Sequence, residues 1–505
     1  MAKNYIFEVS LFLRFASWWL SCNASSDFPP RSAYKYQRFT AWAKNSGAFF
    51  PKLKIGQCPV SGRRGLFASS SILPGEVAIL VPASMGLFSL QAEARLGSWV
   101  SELSDVERLI ALLVSEISEP RSFWRPYLEI LPSLDDLDAA FLWPKNITSI
   151  LKGSAALSYI TYIEAGLESA AANVCSAASR SSRFALRMLA CDSSLLRWAH
   201  AVVRTRSLEG SDGRGAMLLP LLDLANHAPL APPMYLPFAN GTGMAGLVTS
   251  DGVAVGGEIL VRYEESSNAN LLATYGFVVP ANPHDCVVVL GHLPPSPGRA
   301  AISGMPARSQ ASSDAVEKTA GRLDDLRRQV MAAHGLFDLR HNPRTLGPDG
   351  TPSPALLRYL RLCCLPWREW DRADEVAAGA EGGTGVEVCA WRLLAQRAEQ
   401  ILGNYSCKAT EAVARGAADE AGYGSDAGPA PVCWSDADIA GDVRMRAVQE
   451  LLAGEQVSVI LYRAHAARPT TQCLVVSADA PATAGHPRAG ATARDTARRC
   501  DVEGY

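Results

Sequence analysis

The chain has 505 residues, 48% of them hydrophobic, and a formal net charge of -2. That length exceeds one ordinary core and implies two domains with inserts. The near-neutral charge argues against a general nucleic-acid-binding role, which needs a basic face.

Residues 1–35 read as an N-terminal extension. The stretch YIFEVSLFLRFASWWLSC is apolar, but Glu8 and Arg14 interrupt it before it reaches the roughly 20 residues of a membrane span. The same charges spoil a secretory signal. Lys3, Arg14 and Arg31 with nearby serines leave an organelle transit segment open, so cytoplasm and chloroplast both stay open.

Ordered sequence is expected from Tyr36, where Phe39, Trp42 and Ala43 fall at helical spacing and Gly47 stops the helix. Two β-rich pieces follow at 65–82 around the turn signal Pro74-Gly75. From about Ser101 to Trp198 the pattern is helical, opening with the capping-box spacing of Ser104 and Glu107. From about Leu218 to Leu290 short apolar runs between Gly, Asn, Asp and Pro predict strands, and MLLPLLDLA is read as one core strand. Residues 291–320 read as a mobile insert. Helices are expected at 314–335, 354–366, 385–417 and 441–464, and a disordered tail over 466–505.

Twelve cysteines are scattered with no CxxC or other zinc-ligand spacing, so no metal is expected. They are read as small buried thiols in a reducing compartment rather than as a disulfide framework. Gly241-Thr-Gly243-Met-Ala-Gly246 spells a dinucleotide fingerprint, which needs a strand before it and a helix after it. The flanking residues look like strand and turn, so a hairpin loop is expected there.

The chemistry-bearing residues lie in four separated pieces. SGRRGLFA offers backbone amides at a glycine-rich turn. VVRTRSLEG carries Arg204 and Arg206. DLANH ends an apolar run with Asp223, Asn226 and His227. RYEESSNANLLATYGF carries Tyr263, Asn268, Asn270 and Tyr275. Asn-His alone reads as a turn with a surface histidine, and two aromatics in a β-rich segment read as core.

Taken in this order, the pieces resemble a SET-domain protein methyltransferase. More narrowly, they resemble the plant Rubisco large-subunit lysine methyltransferase family, which also includes the animal actin-histidine methyltransferase. The resemblance covers roughly residues 36–465. It implies an α+β SET fold of small sheets with a knot-like crossing (36–290, helical insert at about 100–200) and an all-α substrate-binding domain over 321–465.

It also implies S-adenosyl-L-methionine as methyl donor and a protein substrate docked on the helical domain of a monomer, with no nucleic acid and no membrane. By similarity, Arg63, Arg64, Gly65 and Leu66 line the cofactor pocket through backbone groups. Arg206 faces the cofactor carboxylate, Asn226 and His227 hold its methionine and adenine parts, and Phe277 packs its edge. Tyr275 is implied at the transfer site and Tyr263 in the wall of a lysine channel.

Two departures stand out: Glu264 where the family has glycine, and Cys286 where the large-subunit enzyme has a further tyrosine. The alternatives are histidine methylation, which the tyrosine at 275 disfavours, a scaffold with an inactive SET core, and a Rossmann-type enzyme using the Gly241 loop.

Overall fold

A computed structural model describes residues 28–59, 62–182, 189, 191–210, 215–232, 243–289, 325–336, 344–405 and most of 447–459. These residues divide into two compact units. The first is drawn from Met1–Asp285 and Trp434–Leu451, the second from Cys286–Cys433 and Leu452–Tyr505. The expected insert at 291–320 and the tail at 466–505 lie outside the described residues.

The first unit opens with α1 (Pro30–Asn45), which has proline at its first position, where no amide donor is needed. Phe39 and Ala43 are fully buried along one face. Short strands follow: β1 (Leu53–Gln57) pairs antiparallel with β2 (Arg64–Ala68), Gly56 opposite Gly65. β3 (Val77–Pro82) turns back at Pro74-Gly75, and β4 (Leu87–Phe88) leads into the helices.

α2 (Asp105–Ser118) is capped by Ser104 and Glu107 in a reciprocal pair of bonds, a cap worth about 1 kcal/mol. Its residues Leu109 to Val114 are buried; burying each such leucine contributes about 2 kcal/mol. α3 (Ala155–Ala178) and α4 (Ser193–Arg206) complete the helical layer. Asp192 caps α4 by accepting from the amides of Ser194 and Leu195. Arg204 and Arg206 occupy its last turn, where cations complement the helix dipole.

β5 (Leu208–Gly210) and β6 (Gly215–Leu218) form a three-stranded sheet with β4 in the order β4-β6-β5. The apolar run is not one strand. β6 stops at Leu218, Leu221 takes φ 77, and a single 3-10 turn covers Leu222–Leu224. Pro220, with no amide donor, cannot continue the ladder. The bend delivers β7 (Asn226–His227) as a separate two-residue strand.

β8 (Met244–Val248) pairs with β3, and β9 (Leu260–Val261) pairs with β7 in parallel, Asn226 opposite Leu260 and His227 opposite Val261. Gly246 lies inside β8 rather than at a helix start, which removes the dinucleotide reading; residues 233–242 lie outside the description. The strand texture expected to 290 is broken by α5 (Asn268–Tyr275), capped by Ser267. Its short length and asparagines mask the helical period.

In the second unit β10 (Val287–Val288) pairs with β11 (Thr345–Leu346). Helices dominate: 325–333, α6 (Pro354–Cys364), α7 (Ala373–Ala378) and α8 (Thr384–Asn404). Arg361 pairs with Glu387 at 2.8 Å.

Most of the described cysteines depart from the buried-thiol reading, while Cys363 stays a buried thiol. Cys175 is bonded to Cys191 and Cys364 to Cys389. Each pair joins neighbouring stretches of chain that fold back on one another, with Cα atoms 4.6 and 5.8 Å apart. Such a return leaves no spacing signal in the sequence.

Candidate active site

A cavity of about 620 Å³ opens in the first unit. The four separated sequence pieces meet in it. Its wall includes Arg63, Arg64, Arg206, Asn226, His227, Tyr263, Tyr275 and Phe277. Gly65 and Leu66 do not line it. Leu66 is fully buried, with its carbonyl accepting from the Ile259 amide, so the cavity edge of this segment is Gly62 to Arg64.

One end of the cavity is aromatic. His227 and Tyr263 ring centroids lie 5.2 Å apart, Tyr263 and Tyr275 5.1 Å, Tyr275 and Phe277 5.8 Å, and Phe277 and His227 5.7 Å. The four contacts close on themselves into a ring of aromatic side chains, the kind of group whose face attracts a cation. Its geometry depends on Gly276 between two of its members. Gly276 ends α5 in the left-handed region at φ 84. A Cβ there would lie 1.9 Å from the backbone oxygen of Asp138.

Asn268 secures the same segment. Its side chain donates to the Val279 carbonyl and accepts from the Val279 amide. Asn270 is held by Ser266 and Glu264. Both asparagines therefore fold the loop that carries the rings.

The phenol of Tyr263 donates to the Ala225 carbonyl at 2.9 Å, and its amide donates to His227 Nδ1 at 3.0 Å. That second bond makes Nδ1 an acceptor and fixes the neutral tautomer of His227 with its proton on Nε2. Burial, then His284 and Arg262, lower the His227 pKa to about 4. His227 is therefore neutral throughout the physiological range. Its contribution to stability is complete above the ordinary value of 6.5 and is lost as pH falls toward 4. A ring-proton titration by NMR is expected to show a midpoint near 4; a midpoint near 6.5 would contradict the assignment.

Burial raises the Tyr275 pKa well above the ordinary phenol value, with Glu264 and Tyr263 adding to it. Its phenol stays protonated.

The floor of the cavity is charged. Asp223, buried at the end of the bent segment, accepts from the Tyr127 hydroxyl at 2.8 Å and lies 3.7 Å from Arg206. Arg206 also donates to the Asp223 carbonyl at 2.8 Å, and Arg64 donates to the Ile130 carbonyl at 2.6 Å. Burial raises the pKa of Asp223, against the pull of Arg206 and Arg64. Burial and the Arg206 charge lower that of Arg64. One carboxylate thus faces two guanidiniums, which leaves a positive excess for an anionic group. Arg206 Nε and Asp223 Oδ1 are buried with no hydrogen-bond partner, one donor and one acceptor. Such a pair suits a ligand carrying both charges.

Several wall residues carry no motif signal. Phe28 comes from just before α1 and Lys35 and Tyr36 from its first half, with the Arg64 guanidinium 5.9 Å over the Tyr36 ring. Asp135 to Ala139 come from the loop after Pro132. Glu258, which accepts from Asn226 at 2.6 Å, sits inside GGEI, where no motif marks it. Among the described residues no group of His, Cys, Asp and Glu is disposed to hold a metal, and no helix is long and apolar enough to cross a membrane.

Paired short strands, a helical layer between β4 and β5 and the parallel β7–β9 pairing make up a SET-domain fold. The crystal structure of the SET domain of LSMT bound to lysine and AdoHcy superposes with a TM-score of 0.61 at 17% identity, covering 88% of this chain and 93% of that one. LSMT bound to AdoMet gives 0.60 at 18% identity, covering 87% and 92%. No family model matches the chain. The chloroplastic Rubisco large-subunit N-methyltransferase of Pisum sativum is 25% identical over 68% of this chain and 66% of its own length. The chloroplastic fructose-bisphosphate aldolase-lysine N-methyltransferase of Arabidopsis thaliana is 24% identical over 68% and 66%. The actin-histidine N-methyltransferase of Drosophila melanogaster is 25% identical over 53% of each. The matches thus span just under two thirds of the two plant relatives and about half of the insect one. The chain thus has the SET-domain fold and is similar to proteins of the Rubisco large-subunit methyltransferase-like group.

Proposed function

We propose that the protein is an N-methyltransferase that moves a methyl group from S-adenosylmethionine to a lysine side chain of another protein. The observation that carries this is one cavity in which a cluster of four aromatic rings meets Arg206, the buried Asp223 and Arg64. S-adenosylmethionine supplies a methyl group on a positively charged sulfur, together with a carboxylate and an ammonium.

Arg206, with its unpartnered Nε, would hold the carboxylate by charge-assisted hydrogen bonds. Asn226 would hold the amino-acid part, and Arg63 and Arg64 the adjoining wall. Phe277 and His227 close the edge of the cage.

A lysine amine must attack uncharged. Its ordinary pKa is about 10.4, so reaching that state at pH 7 costs roughly 4–5 kcal/mol. A cavity wall of aromatic rings, poor in water, disfavours a second cation beside the first and lowers that cost. The protonated Tyr275 phenol presents a neutral oxygen to the reacting atoms, and Tyr263, tied to Ala225, forms a fixed wall. Holding the reactants in line then supplies much of the acceleration.

The helical second unit is assigned the docking of the protein substrate, and the enzyme acts as a monomer. Calorimetry with S-adenosylmethionine tests the cofactor, and labelled methyl transfer in cell extract followed by mass spectrometry tests the acceptor. No heat with a folded sample favours the scaffold. Label on histidine rather than lysine moves the protein to the other branch of chemistry. Asn226→Ala is expected to weaken cofactor binding by roughly 1–3 kcal/mol; an unchanged dissociation constant would displace the proposed site.

A further inference from the structure

The amide of Asn226 can face only one way. Its Nδ2 lies 2.9 Å from the Arg64 carbonyl oxygen and 2.6 Å from Glu258 Oε1. Both partners are acceptors, so the nitrogen must face them and the carbonyl Oδ1 must face away.

Glu258 is itself firmly placed. It forms an antiparallel bridge with Phe67, its neighbour Ile259 donates to Leu66 O at 2.7 Å, and Ala68 donates to Gly257 O at 2.8 Å. Nothing larger than a hydrogen fits between the partners. A Cβ on Gly65 would lie 2.4 Å from Glu258 Oε1 and 3.0 Å from Asn226 Nδ2. This explains a glycine at a position that does not line the cavity.

We infer that Glu258 is a positioning residue: it locks the Asn226 amide so that a carbonyl oxygen, and not an NH2 group, meets the ammonium of the bound ligand. The inference rests on the S-adenosylmethionine reading. Without Glu258 a single acceptor, the Arg64 carbonyl, holds the amide. The amide is then free to turn over and set donor against donor.

The test is calorimetry on the full chain with two probes, S-adenosylhomocysteine, which carries the amino group, and methylthioadenosine, which lacks it. Glu258→Ala is expected to weaken the first roughly 10- to 100-fold and leave the second within about 2-fold. Glu258→Asp keeps the charge but withdraws the acceptor by one methylene, and shows the same selective loss at smaller size. Glu258→Gln keeps an acceptor oxygen and restores binding. The double variant Glu258→Ala/Asn226→Ala binds no more weakly than Asn226→Ala alone, because the two act as one unit.

Equal losses for both probes, or additive losses in the double variant, would overturn the positioning role while leaving the methyltransferase reading intact. A folded wild type that binds neither probe overturns both.

Discussion

Tyr275→Phe is expected to lower turnover roughly a hundred- to a thousand-fold, the scale of losing one oxygen contact made in the transition state. Cofactor affinity should stay within a few-fold. The ring remains, so its contacts with Tyr263 and Phe277 at 5.1 and 5.8 Å are kept, and only the hydroxyl is removed. Because burial keeps that phenol protonated, the loss should not vary with pH across the neutral range. Single-turnover kinetics beside calorimetry separates the two effects. Wild-type turnover in the variant would take Tyr275 out of the mechanism.

Gly276→Ala is expected to cost about 3 kcal/mol or more in stability and to abolish transfer. Part of the cost is the left-handed backbone at φ 84, about 1 kcal/mol for alanine. The larger part is overlap with backbone, since the added carbon would sit 1.9 Å from Asp138 O and 2.2 Å from its carbonyl carbon. Neither atom is the end of a flexible side chain, so the end of α5 must shift, taking Tyr275 and Phe277 with it. Gly75 is the control: its φ of 76 is similar, but a Cβ there meets nothing within 4 Å. Gly75→Ala should therefore show the backbone cost alone. Equal shifts in denaturant midpoint for the two variants would refute the overlap argument.

The sequence made the fold class readable because the SET domain is spelled by short, separated, polar-tipped motifs. Asn226-His227 and Tyr275-Gly-Phe277 keep their order and character even where propensity misleads. Propensity misled twice. Pro220 breaks an apolar run that looked like one strand, and α5 is too short to show its period. The cavity was readable only where a motif supplies the wall. Tyr36 lies on a helix that otherwise looks like packing, and Asp135 to Ala139 sit in a loop with no motif of their own. Glu258 belongs to a common strand-entry pattern, so only its 2.6 Å bond to Asn226 reveals its task. The Cys175–Cys191 and Cys364–Cys389 disulfides were hidden for the same reason: partners that meet through a return of the chain leave no local trace.

The bond from Asn226 to the Arg64 carbonyl spans 162 positions. Contacts of such sequence separation demand a large loss of chain freedom before they return any stability, and they form late and slowly. No fragment that stops short of the parallel pairing of Asn226 with Leu260 can hold the ligand, however well its helices form. Recovery of ligand affinity during refolding should therefore trail recovery of helical circular dichroism, and an unfinished nascent chain is silent until β9 has paired with β7.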